Sequence, residues 1–153
     1  MKSRIDKRIL VPIDGSDFSR AALSPAAEIV AGGDGELVML LVITDGFEQM
    51  VERFMSIEHV TPEGTAGAHL DRIEQDLDDE LHDLEISHVI RTSADPADEI
   101  LQVAGEIGAT MIALTSHGYT GLKKLFMGSV SEAVLRGSSI PVLLVPSETD
   151  TTR

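Results

Sequence analysis

The chain has 153 residues, 42% hydrophobic and 25% charged with no cysteine, which fits one domain over 1–153 and excludes a disulfide scaffold, a thiolate metal site and a disordered chain. Lys plus Arg is 12 against 26 Asp plus Glu, a formal charge of −14, so nucleic-acid phosphates are repelled and no nucleic-acid partner is expected. No apolar run approaches the roughly 20 residues of a bilayer span, and the apolar stretch 9–13 is too short for a signal-peptide core, so membrane insertion is not expected and the compartment is read as the cytoplasm.

A short buried strand is predicted over 9–13, ending in the turn-like Asp14-Gly15-Ser16-Asp17. The spacing of Phe18, Ala22, Ala26, Ile29 and Val30 predicts a helix over 18–31, kinked by Pro25 and ended by Gly32-Gly33. Residues 37–43 are uninterruptedly apolar, the pattern of a strand covered on both sheet faces. The stretch 44–67 is the least regular, with a turn at Thr61-Pro62-Glu63-Gly64, and an amphipathic helix follows over 68–84 through Leu70, Ile73, Leu77, Leu81 and Leu84. A strand is predicted over 86–91. Asp95-Pro96 then opens a helix as N-cap and first helical residue, with Ile100, Val103, Ala104 and Ile107 inward and Gly108 at its end. A strand over 111–114 leads into a glycine-punctuated connection over 115–128. Ser129-Val130-Ser131-Glu132 has the capping-box pattern for a helix to about 136, the last strand is 141–145, and 147–153 is a polar, frayed end.

The order is βαβ-loop-αβαβαβ. Five strands joined by helical crossovers predict an α/β fold: a single doubly wound five-stranded parallel sheet, order 3-2-1-4-5, with helices on both faces. Ligands bind such sheets beyond the carboxyl ends of the strands, where the order reverses. Two segments leave the strands at that point: Pro12-Ile13-Asp14-Gly15-Ser16, and Thr115-Ser116-His117-Gly118 with the nine residues to Gly128-Ser129. Gly118 and Gly128 let backbone approach an anion and adopt positive φ, and Ser129 opens a helix whose N–H groups face the loop. Lys123 and Lys124, half of the chain's lysines, fall in that loop. From the residues alone the segment is either a glycine-rich anion site or an ordinary flexible loop, and it is not a Walker A loop, which needs Gly-Lys-[Ser/Thr].

Together these segments resemble the universal stress protein family along nearly the whole chain. The family pattern is Gly, two residues, Gly, nine residues, Gly-[Ser/Thr], then a helix and a Pro-Val-Leu-Val-type strand; here it reads Thr115-Ser116-His117-Gly118, nine residues, Gly128-Ser129 and Pro141-Val142-Leu143-Leu144-Val145. The opening segment with Ser19, and Asp95-Pro96-Ala97, match as well. The resemblance implies ATP binding, with AMP or ADP as other candidate ligands and Mg²⁺ only as carried by the nucleotide. It assigns Pro12, Asp14 and Val42 to the adenine and ribose side, Leu114 and Thr115 beside the nucleoside, and Gly118, Gly128, Ser129, Val130 and Ser131 to the phosphates through N–H groups and hydroxyls. Thr115 stands where the family has its first glycine; its Cβ and methyl restrict φ and crowd the ribose–phosphate junction, which implies weakened or reshaped binding rather than its loss.

His117 has no second base or nucleophile beside it and reads as a loop-packing residue. The other histidines, His59, His69, His82 and His88, lack a zinc-motif spacing, and the acidic run 76–83 lacks the turn glycine of a calcium loop, so no metal site is expected. The leading function is an ATP-binding stress-response module in which nucleotide occupancy biases a conformation or a partner contact. The alternatives are a nucleotide-independent interaction module of the same fold and a slow ATPase or nucleotidyl transferase. The apolar edge strand 142–145 needs covering, and the resemblance implies a homodimer paired through it.

Overall fold

A computed structural model of the chain describes residues 7–16, 18–31, 34–54, 60–80, 84–116 and 128–146. Five strands, β1 (Lys7–Ile13), β2 (Gly35–Ile43), β3 (Glu85–Thr92), β4 (Met111–Thr115) and β5 (Val142–Val145), form one sheet in the order β3-β2-β1-β4-β5. Every pairing is parallel. This is the predicted topology.

The strand periodicity of two divides the core. Ile9, Val11 and Ile13 of β1, with Leu37, Met39, Leu41 and Ile43 of β2, pack on one side against α1 (Leu23–Val30), α2 (Asp45–Phe54) and α3 (Pro62–Glu80). The alternate residues Leu10, Val38, Leu40, Val42, Ile112 and Leu114 pack on the other against α4 (Pro96–Ile107) and α5 (Ser129–Gly137). The unbroken apolar run of β2 is thus explained: helices cover both of its faces.

Three local expectations are corrected. The predicted helix over 18–31 is a 3₁₀ turn, Phe18–Ala22, followed by α1. Pro25 is the third residue of α1, within the first turn, where its missing N–H has no intrahelical partner to lose, so the break precedes the proline. The "irregular" stretch holds a whole helix, α2: the Thr44 hydroxyl accepts from the Phe47 N–H at 3.3 Å and the Thr44 carbonyl from the Glu48 N–H at 3.0 Å. The predicted turn at 61–64 is the start of α3 instead, with Thr61 Oγ1 accepting from the Gly64 N–H at 3.0 Å and Pro62 in the first helical position. At α4 the expectation holds: Asp95 Oδ1 accepts from the Asp98 N–H at 3.0 Å, and Gly108 ends the helix at φ 64°. Arg91 of β3 ties that helix to the sheet edge, and its hydrogen bond, with a second from Gln102, holds the exposed Glu106 carboxyl below the usual range.

The strand partings position the site. Pairing of β1 with β2 runs to Ile13↔Leu41, whereas pairing with β4 stops at Leu10↔Ile112. Pro12, with no N–H to offer a ladder, lies two residues beyond that last pair. Past it β1 and β4 are no longer paired, and a crevice opens at the point where the strand order reverses.

Candidate functional site

That crevice is a cavity of ≈ 430 Å³. Nine of the ten residues singled out from the sequence line it: Pro12, Asp14, Val42, Leu114, Thr115, Gly128, Ser129, Val130 and Ser131. The tenth, Gly118, lies outside the described residues, as do His117, Lys123 and Lys124. One wall is apolar, built from Leu40, Val42, Ile100 and Leu114 on the sheet and α4. Asp14 stands at the exit of β1, and the N-terminus of α5 enters from β4's side. Among the described lining residues the only charged side chain is Asp14.

A chain of short hydroxyl contacts binds these parts. Asp14 Oδ1 accepts from the Ser16 N–H at 2.9 Å and from the Ser16 hydroxyl, and the Asp14 N–H donates to Ser19 Oγ at 3.2 Å. Ser19 Oγ donates to the Ser16 carbonyl at 2.8 Å. Thr115 Oγ1 donates to the Ser19 carbonyl at 3.2 Å, and Ser131 Oγ to the Thr115 carbonyl at 3.1 Å. Ser19, Thr115 and Ser131 are all buried. The β1 exit, the 3₁₀ turn, the end of β4 and the start of α5 are thereby cross-linked through three side-chain hydroxyls. Gly15, at φ +89°, makes the β1 turn possible, and a Cβ there would meet the Phe47 ring at 3.2 Å.

Several roles differ from expectation. The N-cap of α5 is Gly128, whose carbonyl accepts from the Glu132 N–H at 2.9 Å; Ser129 is the first helical residue and makes no capping bond. Gly128 has φ −59°, open to any residue, so positive φ is not its reason for being glycine. Among the described residues a Cβ there would meet only the Ser116 carbonyl, at 3.7 Å. The Ser131 hydroxyl proton is committed to Thr115, which leaves its N–H, not its O–H, to face an anion. Thr115 ends a paired strand, where a β-branched residue is unstrained, and its hydroxyl donates to the Ser19 carbonyl. The first N–H groups of α5 have no intrahelical carbonyl to bond, and they carry the helix's positive end.

Leu40, Thr44, Gly46, Phe47, Pro96 and Ile100 also line the cavity. Three of these come from α2 and the residue that caps it. The signal was present, a threonine cap ahead of Asp45 and Glu48 with Phe47 and Val51 one turn apart, both buried.

Residues 6–146 match the model of the universal stress protein family. The chain belongs to that family. It is 33% identical over 150 residues to universal stress protein YxiE of Bacillus subtilis (strain 168), covering 90% of this chain and 97% of that one. Among solved folds it resembles protein MJ0577 of Methanocaldococcus jannaschii at a TM-score of 0.72 and 26% identity, over 95% of this chain and 99% of the other. A universal stress protein from Archaeoglobus fulgidus in complex with dAMP shares the fold at a TM-score of 0.65 and 19% identity, over 93% and 99%. Among the described residues no helix is long and apolar enough to cross a membrane.

Proposed function

We propose that this universal stress protein binds ATP, with ADP and AMP as weaker ligands of the same site, and that occupancy biases a conformation or a partner contact. The observation that carries the reading is the cavity at the switch point, ≈ 430 Å³ with an apolar wall at one end and a helix N-terminus at the other. That volume lies within the roughly 300–1,000 Å³ of small-molecule pockets. Leu40, Val42, Ile100 and Leu114 suit the faces of a purine. Asp14 has its Oδ1 engaged by Ser16, and Oδ2 is left to accept from ribose hydroxyls. The N–H groups of Ser129, Val130 and Ser131 suit phosphate oxygens, and Mg²⁺ would arrive with the nucleotide, supplying charge neutralisation. The relative in complex with dAMP supports an adenine nucleotide as the ligand class. Hydrolysis is expected to be slow or absent, because among the described residues no arginine or lysine lines the cavity to stabilise charge on a γ-phosphate.

Calorimetry with ATP on the full chain and on Gly128→Val tests this. The variant backbone is unstrained and its Cβ has room among the described residues, so folding is expected to be unchanged while the side chain narrows the anion end. An affinity loss of more than about tenfold, worth ~1.4 kcal/mol, is expected. A wild-type chain with no saturable ATP binding, or a variant that binds as wild type does, refutes the site.

The dimer is proposed through β5, which lies at the sheet edge with unpaired backbone groups. Among the described residues Leu144 on β5 and Leu135 on α5 are large apolar side chains left exposed. Sedimentation is expected to find a dimer at micromolar concentration and a monomer for Leu144→Asp; a monomeric wild type contradicts it.

A further inference from the structure

The face of the sheet covered by α3 carries a second cluster, none of whose residues lines the cavity. Gly67 of α3 packs over the Ile90 side chain of β3 at 3.9 Å from its would-be Cβ. One and two turns further along that helix stand Asp71 and Glu74. β3 runs so that His88 lies on the same sheet face as Ile86 and Ile90, which pack on the core beneath α3. Helix and strand thus bring Asp71, Glu74 and His88 together, one ligand atom from each lying within 4.8 Å of the others. His88 Nδ1 is 3.4 Å from Glu74 Oε2, and both side chains are about one-third exposed (29% and 32%).

We infer that Asp71, Glu74 and His88 form a binding site for a divalent transition metal of the zinc class, clipping α3 to the edge strand β3. Two points favour a cation over a plain surface cluster. The set is mixed, an imidazole from the sheet with two carboxylates from a helix, and imidazole is the ligand that distinguishes zinc-like ions from Mg²⁺ and Ca²⁺. The carboxylates are also uncompensated: among the described residues Asp76 on the same helix is paired with Arg20, but no lysine or arginine pairs with Asp71 or Glu74. The scaffold is firm, since Leu70, Ile73 and Leu77 seat α3 in the core. Bonds of about 2.1 Å to a common ion put ligand atoms ~3.5 Å apart, so small side-chain rotations close the triad and leave a fourth position for water. No sequence motif marks this site, because its histidine comes from a different element than its carboxylates.

The test uses the full chain, stripped of metal and free of nucleotide, titrated with ZnCl₂ by calorimetry and followed by thermal unfolding, then repeated with His88→Ala and with Glu74→Gln. Saturable binding of one ion per chain with a raised Tm is expected, weakened by more than about tenfold in each variant, the least that disturbing a ligand shell costs. Excess Mg²⁺ is expected not to displace the ion. Absence of saturable Zn²⁺ binding, binding in both variants as tight as in wild type, or ready displacement by Mg²⁺ overturns the inference. ATP calorimetry on the same variants is expected to match wild type, so failure of either site is read independently.

Discussion

Leu10→Ala is expected to lower the unfolding free energy by about 2–5 kcal/mol, the cost of a buried leucine truncated in a core that cannot fully collapse. Leu10 is fully buried in the central strand, in register with Val38 on β2 and Ile112 on β4. It belongs to the cluster beneath α4 and α5, the layer that floors the ligand cavity. Against a total of roughly 5–15 kcal/mol, the loss consumes a large part of the fold's margin. Urea unfolding followed by far-UV circular dichroism measures it, with the midpoint lowered at an unchanged slope. Glu28→Ala, on the exposed side of α1, is the comparison and should change stability by less than about 0.5 kcal/mol. Equal effects of the two would mean that Leu10 is not in the core.

The second large effect is placed on Thr115. Thr115→Val keeps the shape and removes the hydroxyl, so the buried bond to the Ser19 carbonyl is lost. A loss of about 0.5–1.5 kcal/mol is expected from that bond, whereas Thr115→Ser retains it and should lie close to wild type. The same bond couples the β1 exit to β4 beside Asp14, so weakened ATP binding should accompany the valine. Thr115→Gly separates two accounts of this residue. Crowding by the threonine methyl calls for a rise in affinity when it is removed; the hydroxyl tie calls for a fall, and a fall is expected here. A rise would show that the native side chain obstructs the site.

Most of the topology was legible because sheet burial writes itself into composition. An unbroken apolar β2 can only be a strand covered on both faces, and alternating strand and helix periods leave few ways to connect them. The α4 ends were readable because Asp95, Pro96 and Gly108 each answer a specific backbone need. What failed was capping read by residue type alone. Thr61 and Thr44 cap helices, yet Gly64 beside the first suggested a turn and the polar content of 45–54 hid the second. Ser129 looked like a cap and is not one, because Gly128 already supplies the first carbonyl. The fold rule locates the two strand-exit segments, and the resemblance to the family supplied the individual lining residues on them. Leu40, Ile100 and Phe47 were not, because an apolar residue lining a cavity and one filling the core look alike until packing is known. The hydroxyl chain from Asp14 to Ser131 also joins residues too distant in sequence to be read as a unit.

On the proposed reading, main-chain amides at the start of α5, rather than side-chain cations, hold a nucleotide's phosphates on a strongly acidic protein. Amide chemical shifts of the ¹⁵N-labelled chain during an ATP titration decide it. The largest saturable changes are expected at Ser129, Val130 and Ser131, with a second group at Asp14 and Val42. Shifts that never saturate, or that leave those three amides unmoved while others respond, would contradict it.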